Sequence, residues 1–63
     1  MTEAAKLATL AHYLARKAVK EQLRARGFRP ESFEPSVISV ATRAYLQAHL
    51  VELIAEAKAI LSR

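Results

Sequence analysis

The chain has 63 residues, enough for one domain, and a domain of this size buries only about 60% of the surface that its unfolded chain exposes. Cys is absent, which excludes disulfides and thiolate zinc sites as sources of stability. Ten Lys and Arg against six Asp and Glu give a net charge of +4, which is compatible with an acidic partner without requiring one. We therefore expect oligomerisation to supply part of the stability.

The N-terminal segment, residues 1–21, reads MTEAAKLATLAHYLARKAVKE. It has no continuous apolar stretch behind a basic end, as a signal peptide would have, and no part of the chain has the roughly 18 apolar residues needed to cross a membrane. The sequence predicts a cytoplasmic protein that has no membrane as partner.

The first predicted helix covers about residues 2–26, a segment without Gly or Pro in which good helix formers dominate. Thr2 suits the N-cap position. Gly27 suits the left-handed residue that ends a helix, and Phe28 is then placed to fold back on Leu23 as in a Schellman motif. The residue types at both ends therefore delimit one helix.

A loop at residues 27–34 separates this helix from a second one, predicted over about residues 35–61 and opened by a proline. Phe33 precedes that helix and is placed to pack on Val37 or Ile38 as a hydrophobic staple. A loop this short between two long helices favours antiparallel packing. The predicted fold is all-α: one domain, a two-helix antiparallel hairpin.

At 100° per residue, the first helix places apolar side chains on one stripe, which is typical of a core-facing helix. The stripe comprises Leu7, Leu10, Ala11, Leu14, Ala18 and Ala25. A basic row lies away from this stripe and includes one aromatic ring. Its residues are Lys6, Tyr13, Arg16, Lys17, Lys20 and Arg24. The first helix is therefore amphipathic and basic.

The large apolar residues of the second helix do not fit on one face. One side holds Leu46, Leu50, Leu53, Ala57, Ile60 and Leu61, and the other holds Val37, Val40, Ala41, Ala44, Ala48 and Val51. A helix that is apolar nearly all round is normally buried on several sides, and a single partner helix cannot cover both. The pattern predicts a dimer interface drawn from Val37, Val40, Ala41, Ala44, Leu46, Ala48, Leu50, Val51 and Leu53.

A two-fold homodimer of hairpins, forming a four-helix bundle, satisfies this pattern with the fewest assumptions. The small residues Ala41, Ala44 and Ala48 would permit close approach of two helices. A monomer whose second helix is curled or broken is the alternative. The sequence leaves open which apolar side of the second helix forms the interface.

The two histidines raise the question of a metal site. His12 and His49 fall at about the same level of the predicted hairpin, and His49, Glu52 and Glu56 follow one another along a helix face. However, His12 lies off the core stripe, and the order His-x-x-Glu reverses the Glu-x-x-His of di-iron bundles. We predict no metal and no cofactor, with His49 at the edge of a helix face and hydrogen-bonded to a carboxylate or to water.

Nucleophilic catalysis needs a hydroxyl or thiol that an oriented base activates. None of the four serines has a histidine nearby in sequence, and a two-helix hairpin offers little concavity for a substrate. A single Gly excludes a glycine-rich phosphate loop. The sequence therefore predicts that the protein is not an enzyme.

The segment ATRAYLQAHLVELIAEA, residues 41–57, resembles a pattern found in short uncharacterised helical proteins of alphaproteobacteria. The resemblance covers under a third of the chain. It implies a bacterial, cytoplasmic context and assigns no role to any residue.

Two functional hypotheses follow. In the first, the chain is a small non-enzymatic interaction protein, a homodimer that acts as a protein-binding or assembly module. In the second, it is a nucleic-acid-binding accessory protein that uses the basic row of the first helix for contacts driven mainly by phosphate. Against the second, solvent-facing cations can simply maintain solubility, with Lys17 or Arg24 paired to Glu21.

Overall fold

The computed structural model describes residues 2–63, and this part of the chain is all-helical. It contains three α-helices, α1 (Glu3–Ala25), α2 (Pro35–Ala48) and α3 (Leu50–Leu61), with one 3₁₀ turn at Pro30–Ser32 between α1 and α2. The all-α prediction is confirmed. The molecule is elongated, with principal dimensions of 35 × 20 × 19 Å.

Helix α1 begins and ends as its residue types predict. The Thr2 hydroxyl oxygen accepts a hydrogen bond from the Ala5 N–H at 3.2 Å, which confirms the N-cap. At the other end the Phe28 N–H donates to the Leu23 carbonyl at 2.9 Å and the Gly27 N–H donates to the Arg24 carbonyl at 3.0 Å, the two bonds of a Schellman motif. Gly27 has φ +88°, the left-handed conformation that this motif requires.

The connection between α1 and α2 packs its two aromatic rings on each other. The Phe28 and Phe33 ring centroids are 6.0 Å apart in an edge-to-face arrangement. Phe33 is half-buried and lines a small cavity together with Ile38, a placement consistent with the predicted staple. Phe28 remains 53% exposed, so the exposed ring of this connection is Phe28.

The prediction of one helix over residues 35–61 is wrong, because the helical conformation is interrupted at His49. This residue has φ −124° and ψ 27°, outside the helical region. Its N–H still donates to the Tyr45 carbonyl and its carbonyl still accepts from the Leu53 N–H, both at 3.0 Å. Hydrogen bonds of helical spacing therefore continue on both sides, and we refer to α2 followed by α3 as the second arm.

Helix α1 packs against both α2 and α3, and small side chains are the most deeply buried. The buried residues of the three α-helices are Ala11, Ala15, Val19, Ile38, Thr42, Leu53 and Ala57. Ala11, Ala15 and Leu53 form the central cluster, and Thr42 is the largest side chain that is less than 2% exposed. The buried Thr42 hydroxyl donates to the Ile38 carbonyl at 2.7 Å, so its polar group is satisfied.

The predicted stripe of α1 needs one correction. Ala15 and Val19 lie in the core although they fall outside that stripe, whereas Ala25 lies inside it and is exposed. The physical reason is that α1 packs against both α2 and α3. Its buried face is therefore displaced toward the small residues of α1 that lie between those two helices. Leu14 is half-buried and packs against the edge of the central cluster.

Candidate functional site

The outer side of α2 is an exposed apolar face, and helical periodicity assigns Val51 of α3 to the same side. Val37, Val40 and Val51 are 49%, 70% and 83% exposed, which is unusual for β-branched residues of a small domain. Ala44 and Ala48, between them in sequence, are also exposed. We refer to Val37, Val40, Ala41, Ala44, Ala48 and Val51 as the outer face.

Two adjoining cavities follow this outer face. The first, of about 430 Å³, is lined by Ser36, Val37, Val40, Ala41 and Ala44, and none of these carries a charge. The second, of about 420 Å³, lies between α1 and α2 and shares Ala41 and Ala44 with the first. Its other lining residues are Val19, Gln22, Leu23, Arg26, Tyr45, Ala48 and His49. Together the cavities form a continuous, largely apolar groove beside α2.

Three leucines of the predicted interface lie elsewhere. Leu53 is only 5% exposed and belongs to the central cluster, and Leu46 packs against that cluster. Leu50 is 50% exposed, and like Val51 it lines neither of the two cavities. The structure thus leaves the outer face accessible and uses Leu46 and Leu53 for packing within the chain.

The α1 side of the groove was not anticipated from the sequence. Gln22, Leu23 and Arg26 lie opposite Ala44 and Ala48 across the second cavity. Gln22 and Leu23 lie in the last turn of α1 and Arg26 is its C-cap, and these positions place them beside α2. The relevant signal is the antiparallel order of the elements, which brings the end of α1 to α2.

The basic row of α1 is divided into three parts. Tyr13, Arg16, Lys17 and Lys20 surround a shallow cleft of about 400 Å³. Lys6 is exposed and does not line this cleft. Arg24 is engaged in an ion pair, since its Nη2 atom lies 3.4 Å from Oε1 of Glu31. The structure therefore brings together four of the six predicted residues.

Glu31 lies at the connection and is the acidic residue that interacts with the basic row. A hydrogen bond from its own main-chain N–H lowers the pKa of its carboxyl, and the Arg24 hydrogen bond and charge lower it further, with Lys20 contributing at longer range. Glu31 is fully exposed to solvent, so this pair is a local and screened interaction.

The predicted hydrogen bond between His49 and a carboxylate is confirmed, but His49 lies at the interruption between α2 and α3 and not on a helix face. Its Nδ1 atom lies 3.0 Å from Oε2 of Glu52, and its ring stacks on Tyr45 with centroids 4.3 Å apart. Glu56 lines a different cavity, beside Leu53 and Lys17, and His12 is exposed on α1. Within residues 2–63 no three His, Cys, Asp or Glu side chains come together as a metal site would require.

Comparisons of this chain with protein-family models, with curated proteins and with solved structures gave no match. In the segment that the structure describes, none of the helices combines the length and the apolar character that a membrane crossing needs. The functional argument therefore depends on the two surfaces described above, the outer face and the basic cleft.

Proposed function

We propose that the protein is a small non-enzymatic interaction module that works as a homodimer, with the outer face as its association surface. Each protomer would be an antiparallel helical hairpin whose second arm is α2 followed by α3, and two copies would form a four-helix bundle. The observation that carries the proposal is the exposure of Val37 and Val40 beside a cavity of α2 that is lined without any charged residue.

The amount of exposed surface supports an association of this size. The chain exposes 4901 Å², whereas a compact monomer of 7.0 kDa is expected to expose about 4,000 Å². The excess of about 900 Å² is close to the roughly 800 Å² that each partner contributes to a standard stable interface. The radius of gyration, 12.5 Å, also exceeds the roughly 11 Å of a compact domain of this length.

The shape and charge of the outer face favour a second copy of the chain as its occupant. Val37 and Val40 form a ridge beside a groove floored by Ala41, Ala44 and Ala48, so a two-fold axis could seat the ridge of each copy in the groove of the other. The cavity under Val40 is lined without any charged residue. Two chains of net charge +4 could therefore approach there with little local repulsion.

The proposal of a role without catalysis is supported by how the hydroxyl groups are used. The Ser32 hydroxyl donates to the Arg29 carbonyl at 2.6 Å, and the Ser62 hydroxyl donates to the Lys58 carbonyl at 2.9 Å. Both hydroxyls are committed to main-chain acceptors and face no histidine base. Two of the four serine hydroxyls are therefore engaged in structural hydrogen bonds, which supports binding rather than group transfer.

Sedimentation equilibrium at micromolar concentration tests the proposal, with Val40→Glu as the decisive variant. In a lone chain this exposed position should tolerate Glu within about 0.5 kcal/mol. In the dimer the same carboxylate would be buried without a partner, and we expect the association constant to fall by at least about 100-fold. Helical content measured by circular dichroism should stay unchanged.

Two further variants make the experiment specific. Ser39→Glu adds the same charge at an exposed α2 position outside both cavities and should leave the dimer intact. Leu50→Glu tests the other exposed apolar side of the arm. A monomeric parent chain would contradict the proposed homodimer. If Leu50→Glu dissociates the dimer and Val40→Glu does not, the interface lies on the Leu50 side of the arm, and the outer face is not the association surface.

A further inference from the structure

The residues of the basic cleft of α1 take no part in the proposed dimer interface. Tyr13, Arg16, Lys17 and Lys20 stand at positions i, i+3, i+4 and i+7 of one helix and surround a shallow space of about 400 Å³. Three positive side chains and one aromatic ring thus face the same opening. The outer face is on a different helix, so the two surfaces can be occupied independently.

No cation of this cleft forms an ion pair within 4.0 Å in the described chain, although Lys17 shares a cavity with Glu21 and Glu56, and Arg16 and Lys20 share one with Glu31. Over residues 2–63 the ion pairs are Arg24–Glu31 and His49–Glu52, and neither includes a cation of the cleft. Glu21, the acidic residue nearest in sequence, forms no pair with Lys17 or Arg24 within 4.0 Å. The cleft therefore presents three positive charges to a ligand.

Tyr13 adds a flat ring to these charges. It is 59% exposed, although it belongs to the helix that provides most of the central cluster. An exposed ring among cations is the arrangement that proteins use to bind single-stranded nucleic acid, in which a base stacks on the ring and the adjoining phosphates meet Lys and Arg. A purely solubilising surface has no need for the ring.

We propose that this cleft binds single-stranded nucleic acid, with one base stacked on Tyr13 and the neighbouring phosphates held by Arg16, Lys17 and Lys20. A duplex is disfavoured because its base faces are covered by their neighbours, which would leave only phosphate contacts. Every base has a π-face, so the site selects for single strands rather than for a sequence. The same chemistry fits DNA and RNA.

Fluorescence anisotropy tests this with labelled strands of about 15 nucleotides, the upper range of such sites. The probes are oligothymidylate, oligouridylate, an abasic deoxyribose-phosphate strand of equal length and a duplex of equal length. We expect both single strands to bind more tightly than the abasic strand and the duplex. The two sources of single strand, DNA and RNA, are separated by comparing the first two probes.

Variants assign the roles within the cleft. Tyr13→Ala should weaken oligothymidylate binding about 5- to 150-fold, the range for loss of one stacked base, whereas Tyr13→Phe should stay within about twofold of the parent. Lys17→Gln and Lys20→Gln should each reduce the slope of log affinity against log salt by about 0.7. Lys58→Gln removes one charge outside the cleft and should leave the slope unchanged.

Several outcomes would overturn the inference. The cleft carries no such site if no probe binds at about 50 mM salt, where phosphate contacts are strong. Equal binding of duplex and single strand, with no loss in Tyr13→Ala, would indicate general adhesion of a basic protein. So would an equal effect of Lys58→Gln and Lys17→Gln. None of these results bears on the dimer, which is measured without nucleic acid.

Discussion

The connection between α1 and α2 and the outer face of α2 differ in how completely their groups are satisfied. In the connection, the Gly27 and Phe28 N–H groups have carbonyl acceptors, the Phe28 ring contacts Phe33, and Glu31 is paired with Arg24. On the outer face, Val40 and Val51 are largely exposed and have no partner helix in the described chain.

This difference shows which part of the molecule is complete by itself. The hydrogen bonds and the ion pair of the connection join residues at most seven positions apart, so one chain suffices to form them. The outer face has valines where a monomer would place polar groups, while three of the seven buried helical residues are Ala. Valines left exposed along one helix of so small a domain are what the proposed homodimer would explain.

The largest expected effects come from enlarging one alanine of the core and one alanine of the outer face. Ala15 is fully buried between the helices, and Ala15→Leu should destabilise the chain by about 1 to 3 kcal/mol through overpacking. Ala44 is exposed on the outer face, and Ala44→Leu should cost a lone chain less than about 0.5 kcal/mol. Urea unfolding gives both values.

The dependence on protein concentration then separates the two positions. If the outer face is an interface, Ala44→Leu should lower the unfolding midpoint at high concentration, where the parent is dimeric, and leave it unchanged at high dilution. Ala15→Leu should lower it at both. A midpoint that is insensitive to concentration in the parent chain would show that the outer face has no partner at those concentrations.

The features that could be predicted from the sequence are the local ones, as in the connection between α1 and α2. The N-cap at Thr2 and the Schellman end at Gly27 were predictable because each depends on a few adjacent residues. The interruption at His49 was not, because residues 41–57 contain no Gly or Pro to signal it. The hydrogen bond from His49 to a carboxylate was foreseen, but the departure of its main chain from helical geometry was not.

The candidate sites show the same limit. Helical periodicity identified Tyr13 and its neighbouring cations as one row, but only the folded connection shows that Arg24 is paired with Glu31. Likewise, the period of 100° per residue assigned Leu53 to an interface, whereas packing of α1 against two helices places it in the core. Contacts between distant parts of the chain decide whether a residue such as Arg24 is paired or one such as Leu53 is buried. The periodicity of a single helix carries no information about those contacts.

A second prediction tests the contribution of the connection between α1 and α2 to stability. Gly27→Ala should destabilise the chain by about 1 to 2 kcal/mol, because Ala at φ +88° is strained. Nothing lies within 4 Å of the added Cβ, so the loss should come from the main chain alone. Thermal unfolding should show a lower midpoint, by about 4 to 8 °C per kcal/mol for a domain of this size.

The control for this effect is Gly27→Asn, since Asn tolerates the left-handed conformation better than Ala does. We expect Gly27→Asn to recover part of the lost stability. Equal stability of the Ala variant and the parent would mean that the connection does not hold the left-handed conformation, and the contrast with the outer face would lose its basis.

The smallest expected effect is the contribution of Glu31 to stability at low pH. Because folding lowers the pKa of this carboxyl, its stabilising contribution is complete above the unfolded value and is lost as pH falls through the lower folded value. Glu31→Gln should therefore remove a part of the acid destabilisation below the ordinary value of 4.5. Arg24→Gln should remove only a fraction of that part, since the main-chain hydrogen bond, the largest cause of the lowered pKa, stays in place. The measurement is the thermal midpoint of the parent and the two variants across this pH range. If both variants remove the same part of the acid destabilisation, the ion pair, rather than the main chain of the connection, stabilises the carboxylate.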